Sequence, residues 1–173
     1  SGKGQTKFAI VRFGNVLGSR GSVFQIFQKQ IRMKKPLTVT DRNMTRFIMS
    51  ISDAASMILN VTKILTDGEI YILKMPSVVI ENLAIGMLRV YGSRFPDYRN
   101  TSSINITKPR GERFHELLIS KEEIPYCHDI GDMYKISKTP SKKQLPNHEF
   151  SSETASRISQ SKLDKTINEL IDE

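Results

Sequence analysis

A chain of 173 residues, 38% of them hydrophobic, can bury one core of ordinary size. No apolar run approaches the roughly 18 residues needed to cross a bilayer, and the start carries no charged-then-apolar signal segment, so no membrane segment is expected. Cys127 is the sole cysteine, which excludes an internal disulfide and a cysteine-built metal cage and suits a reducing, cytoplasmic setting, while a formal charge of +8 attracts phosphorylated ligands or polyanions.

Residues 1–7 read as a surface loop, and the absence of an initial Met is consistent with further sequence upstream. Residues 8–13 are an apolar run of strand length, expected in the middle of a parallel sheet. A glycine-rich loop follows over 14–22. Apolar residues at Val23, Phe24, Ile26, Phe27, Ile31 and Met33 then mark a helix that Pro36 stops. Residues 37–40 are a short strand and 45–50 another extended piece. Ser52 is placed to cap an amphipathic helix through Ala55, Met57, Ile58, Val61 and Leu65, ended by Asp67 and Gly68.

Residues 69–73 form the next strand, and Pro76 and Ser77 lead into a helix holding Ile80, Leu83, Ala84, Met87, Leu88 and Tyr91. A strand over 103–107 and a helix over 111–119 come next. Periodicity fades over 126–148, where Lys135, Lys138, Lys142 and Lys143 read as a solvated basic stretch. Only Tyr134 interleaves these lysines, so base stacking on nucleic acid has little to work with. Leu163, Ile167, Leu170 and Ile171 line one side of a last helix that should dock on the rest. Alternating strand and helix make the class α/β. Only 8–13 and 69–73 read as strands of a central parallel sheet, and isolated strands leave edges unpaired, so the chain wants a partner sheet or a further copy of itself.

No metal site is expected. His115, His128 and His148 are scattered, and Glu112, His115 and Glu116, placed on one short helix, do not follow the His-Glu-x-x-His order. The glycine loop supports two sharp readings. A strand, then Gly14, Gly18 and Gly21, then a helix and a strand ending at Asp41 imitate a dinucleotide-binding βαβ unit, although the glycine spacing is wider than usual. Alternatively, Asn15, Ser19, Arg20 and Ser22 beside free backbone N–H groups suit the hydroxyls and phosphate oxygens of a substrate. A plain polar turn capping the helix is the simplest account of the same residues.

The run Val11-Arg12-Phe13-Gly14-Asn15-Val16-Leu17-Gly18-Ser19-Arg20-Gly21-Ser22-Val23 resembles the signature of CapD-type polysaccharide-biosynthesis proteins, the inverting UDP-N-acetylglucosamine 4,6-dehydratases and their relatives. Leu37 to Asp41 with Met44 to Phe47, Glu69 to Ser77, and Gly111 to Leu117 are similar to the family's following blocks, in order and over about two thirds of the chain. The resemblance implies the C-terminal part of an extended short-chain dehydrogenase fold, Rossmann-like, contributing late sheet strands and the small substrate-binding lobe. It implies substrate contacts from Asn15, Arg20, Gly21, Ser22 and Val23, with Val16 near a nicotinamide. Thr38 and Arg46 would border the uridine and its phosphates, and Glu112 would hold a ribose hydroxyl. The family reads Arg-Pro-Gly-Glu-Lys where this chain reads Pro109-Arg110-Gly111-Glu112-Arg113, so Arg110 is the pyrophosphate candidate at a position shifted by one.

The family's catalytic Tyr-x-x-x-Lys helix precedes the first strand seen here, and no residue of this chain is assigned a catalytic role. Tyr134 and Lys138 match the pattern only by coincidence, in a region without helical periodicity. On this resemblance residues 1–125 are the substrate-binding half, and 126–173 are a polar basic segment with a terminal helix. The Rossmann half, absent from this chain, would bind NADP or NAD and supply the catalytic pair. The whole enzyme would oxidise the sugar at C4, eliminate water across C5 and C6 and return hydride to C6. Rival readings are a non-catalytic module that binds a UDP-linked sugar and, with less support, a nucleic-acid binder driven by the basic stretch.

Overall fold

The structure, a computed structural model, describes residues 6–99, 103–107, 111–142 and 146–172. In chain order its elements are β1 (Ile10–Arg12), β2 (Asn15–Val16), α1 (Val23–Arg32), β3 (Leu37–Val39), β4 (Thr45–Met49) and α2 (Ile51–Ile64). Then follow β5 (Ile70–Leu73), β6 (Ser77–Val79), α3 (Ile80–Arg94), β7 (Ile104–Ile106), β8 (Leu117–Ile119), β9 (Cys127–Asp129), β10 (Met133–Ile136), β11 (Phe150–Ser151) and α4 (Gln160–Asp172). The class is α/β, as the alternation of strand and helix requires.

The main sheet runs β1-β5-β10-β9, with β1 and β5 parallel, β10 antiparallel to β5, and β9 antiparallel to β10. Its alternating side chains serve two layers. Tyr71 packs with Met57 and Val61 of α2 on one face, and Ile72 with Ile119, Cys127 and Ile136 on the other. Burial first, then the charges of Asp129 and Glu123, push the Cys127 thiol up to about 11, so it is an inert packing group. A separate lobe joins α1, α3 and α4 around Phe24, Phe27, Ile31, Leu83, Met87, Leu163 and Ile167. Between them β4 pairs with β2 and β6, while β3 pairs with β7.

Within this chain strand β1 has β5 on one side and no described strand on the other, and Phe8 and Ile10 are 72% and 58% exposed. Three local expectations are corrected. The cap of α2 is Ser50 rather than Ser52: Ser50 Oγ accepts from Asp53 N at 3.0 Å and the Asp53 carboxylate accepts from Ser50 N, a reciprocal capping box. Residues 111–119 form no helix. Their backbone partners are distant in sequence: Phe114 O accepts from Thr45 N at 3.0 Å, and Glu116 N donates to Ser152 Oγ at 2.8 Å, which leaves Leu117 to begin β8. The region from 126, where periodicity fades, holds β9 and β10, and of the lysines expected to be solvated Lys135 lies on β10, whereas Lys138 and Lys142 are exposed. Tyr134 packs against Phe150, with Lys74 over its ring. Tyr134 therefore lies on a strand and Lys138 in the turn beyond it, not on one helix face.

Lys135 also has a structural task. Its Nζ lies 3.0 Å from the buried Glu69 carboxylate, which accepts a further bond from the Tyr71 hydroxyl at 2.9 Å. Burial pushes the Glu69 carboxyl up, but the bonds from Lys135 and Tyr71 outweigh it and hold it below its ordinary value. A pKa depressed in the fold adds stability above the carboxylate range, and that stability is lost as pH falls through the folded value. Lys135→Met is expected to cost about 1–2 kcal/mol at neutral pH and to weaken the acid sensitivity. Urea midpoints at neutral pH and about pH 4 test this; the same acid loss in both proteins would show that Glu69 is not its source.

Candidate functional site

The loop after β1 is seated by its glycines on the chain's own elements. A Cβ at Gly14 would stand 2.2 Å from Phe47 Cβ and 3.0 Å from the Phe47 carbonyl, so only glycine lets the loop cross β4. At Gly18 a Cβ would lie 2.9 Å from Leu170 Cδ2 of α4. Beyond it the loop folds on itself: Gln25 donates to Gly18 O at 2.9 Å and accepts from Gly21 N at 3.3 Å. Strands β1 and β3 belong to different sheets, so the loop is not the turn of a βαβ unit and the dinucleotide reading of its glycines is set aside.

Asn15 and Val16 form β2, in parallel register with Ile48 and Met49 of β4. The Asn15 Nδ2 group donates to Phe47 O at 3.2 Å and to Glu116 Oε1 at 2.8 Å. Glu116 Oε2 accepts from Phe47 N at 2.9 Å, and Arg46 Nε stands 3.9 Å from Oε1. Arg46 NH1 donates to Thr45 O at 2.7 Å and to Phe114 O at 3.2 Å, so its guanidinium ties the 114–116 stretch to β4. Beside this junction Thr45 Oγ1 meets His115 Nδ1 and Ser152 Oγ, each at 2.8 Å.

Arg20 and Gly21 are exposed at the turn into α1. Ser22 is the N-terminal cap residue of α1, but its side chain makes no capping bond, and its buried hydroxyl oxygen meets no partner among the described residues. Such an atom is uncommon in a folded protein. Val23 opens α1 and packs at the margin of the lobe core. Thr38 faces outward from β3, where Gln30 of α1 holds both its hydroxyl and its backbone N–H. Glu112 is exposed, two residues before the stretch that lies along β4. Arg110 lies outside the described residues.

The structure therefore brings Asn15, Val16 and Arg46 together on β2 and β4. Residues 20–23 sit at the start of α1, and Thr38 is held apart from the junction on β3. The residue that sequence reasoning left without a role is Glu116. The helical reading of 111–119 places it with Glu112 and His115 on one short helix and gives it no partner, although it stands inside a recognised block. A cavity of about 430 Å³ opens beside the loop, between Leu17, the end of β4 at Ile48 and Met49, α2, the turn after β5 at Lys74 and Met75, and Lys162 of α4; none of the candidate residues themselves is among those lining it. Among the described residues no cluster of three or more His, Cys, Asp or Glu is placed to hold a metal, and no helix is long and apolar enough to cross a membrane.

Comparison with known proteins gives this geometry a context. The sequence model of a family described as polysaccharide biosynthesis proteins matches residues 1–138. A protein of Methanocaldococcus jannaschii described as an uncharacterized membrane protein is 40% identical over 136 residues, covering 78% of this chain and 41% of that protein. The UDP-glucose 4-epimerase of Rickettsia felis is 36% identical over 135 residues, covering 78% of this chain and 38% of the enzyme. The X-ray structure of Pen from Bacillus thuringiensis superposes with a TM-score of 0.85 at 32% identity, over 98% of this chain and 52% of that one. The likeness to Pen thus extends through β11 and α4, past the end of the family match. The chain spans about two fifths of the length of those curated relatives.

Proposed function

Because this chain belongs to the polysaccharide biosynthesis protein family, we propose that it is the substrate-binding part of a nucleotide-sugar enzyme, with UDP-N-acetylglucosamine as substrate and 4,6-dehydration as the reaction. The observation that carries the reading is the seating of the loop after β1. Its Gly14 and Gly18 are needed for contact with Phe47 and Leu170, which removes the pyrophosphate cradle and favours a substrate role for the polar residues around them. The Rickettsia felis relative, by its name, acts on a UDP-linked sugar, which supports the nucleotide. The choice of dehydration rests on the sequence blocks around Asn15, Arg46 and Glu112.

In this reading Asn15, Arg20, Gly21, Ser22 and Val23 contact the nucleotide sugar, Thr38 and Arg46 border the uridine and phosphates, Arg110 reaches the pyrophosphate and Glu112 holds a ribose hydroxyl. NADP or NAD supplies the hydride chemistry when bound. This chain offers that group Val16, half-buried where it packs against the cluster of Phe47, Met49 and Met75. The cofactor-binding half is proposed to pair along the open side of β1 and to cover the outward face of α2, where Ile51, Ile58 and Leu59 stand exposed. A further copy of the chain is the rival for the same edge. A cytoplasmic location goes with this reading.

Calorimetric titration of the chain with UDP and, separately, with NAD and NADP tests the assignment. UDP is expected to bind and the dinucleotides are not. Dinucleotide binding without UDP binding would return the glycine loop to a cofactor role.

A further inference from the structure

Three donors surround the Glu116 carboxylate: the Asn15 side-chain amide at 2.8 Å, the Phe47 backbone N–H at 2.9 Å and Arg46 Nε at 3.9 Å. No acceptor faces it in that set. The Asn15 amide in turn meets two groups that can only accept, the Glu116 carboxylate and the Phe47 carbonyl, the latter at 3.2 Å. Its orientation is therefore dictated by chemistry. Turning the amide over would set its carbonyl oxygen against two other oxygens. Nδ2 has an acceptor inside the protein for each of its N–H groups, and Oδ1 of this half-buried side chain meets no partner among the described residues.

We infer that Glu116 is a positioning residue that fixes Asn15 as a hydrogen-bond acceptor, so that Asn15 recognises a hydroxyl or N–H of the sugar and not a phosphate oxygen. The inference rests on the reading of this loop as the nucleotide-sugar site and divides the labour within it. Phosphate oxygens, which only accept, fall to donors further along the loop: the exposed Arg20 guanidinium and backbone N–H groups at the start of α1. Sugar hydroxyls and an acetamido N–H fall to Asn15 Oδ1.

Glu116→Gln tests this directly. Glutamine offers one acceptor and one donor where two acceptors are needed, so the Asn15 amide loses its fixed orientation. In the unsubstituted chain the two Asn15 side-chain amide protons are expected to exchange slowly by 15N-resolved NMR; fast exchange there would overturn the inference without any variant. By calorimetry, Glu116→Gln is expected to weaken UDP-N-acetylglucosamine binding about tenfold more than UDP binding, the size of one lost hydrogen bond. Asn15→Ala is expected to do the same, and the double variant to add nothing further, since the effect of Glu116 passes through Asn15. Equal weakening toward both ligands, or additive losses in the double variant, would overturn the inference while leaving the site in place. If the unsubstituted chain binds neither ligand, the nucleotide-sugar reading falls and this inference with it.

Discussion

Gly14→Ala is expected to lower the stability of the chain by about 3 kcal/mol, the largest effect of any single methyl group in the site. The added Cβ would lie 2.2 Å from Phe47 Cβ and 3.0 Å from the Phe47 carbonyl carbon and oxygen. None of those atoms is the far end of a flexible side chain, so the loop or β4 must move. Phe47 is fully buried, its ring 4.9 Å from that of Phe150, and β4 is paired on both sides, which leaves little room to yield. Gly21→Ala in the same loop is the control. Nothing lies within 4 Å of its Cβ, and its cost arises from a φ of +75° alone. That strain amounts to about 1–2 kcal/mol. Urea midpoints of the two variants measure the difference. A Gly14→Ala loss no greater than that of Gly21→Ala would mean that the loop does not bear on β4 as described.

Ile167→Ala is expected to cost about 3 kcal/mol, the usual range for emptying a fully buried aliphatic site. Ile167 and Leu163 are the residues by which α4 enters the lobe core, and Ile167 Cδ1 fills the space beside Gly86, 3.1 Å from where a Cβ would stand. The same helix carries an ion pair, Arg89 to Asp164 at 2.6 Å, but its Arg side chain is half exposed. Solvent screens such a pair, and Asp164→Ala is expected to cost only about half a kcal/mol. Thermal unfolding of both variants decides whether apolar contact or charge holds α4. A larger loss from Asp164→Ala would reverse that order.

Much of this was legible in the residues. The spacing of Phe24, Phe27 and Ile31 announces α1, and that of Leu163 and Ile167 announces α4, because a 3.6-residue period is local information. The apolar run ending in β1, the strand β5 and the resemblance of the glycine loop to a known signature are local in the same sense. The misread segments have distant causes. Over 111–119, leucines and isoleucine at the end of a charged run imitate a helix, yet the backbone of 114–116 is bonded to β4 and to Ser152. The β9–β10 hairpin carries too many polar residues to stand out, and its order derives from pairing with β5 and from Glu69 beneath Lys135.

The candidate site divides along the same line. By itself the sequence determined the α/β class, the order of most elements, the family resemblance and the residue types around Asn15, Arg20 and Ser22. Only the tertiary structure decided which way Asn15 faces, because its amide is oriented by Glu116, 101 residues later in the chain, and Glu116 is anchored by Phe47 N across 69 residues. It also decided what the glycines are for, since the atoms that forbid a Cβ at Gly14 belong to β4. Hydrogen-bond direction and steric exclusion act between neighbours in space, and a linear pattern carries no record of those neighbours until the chain has folded.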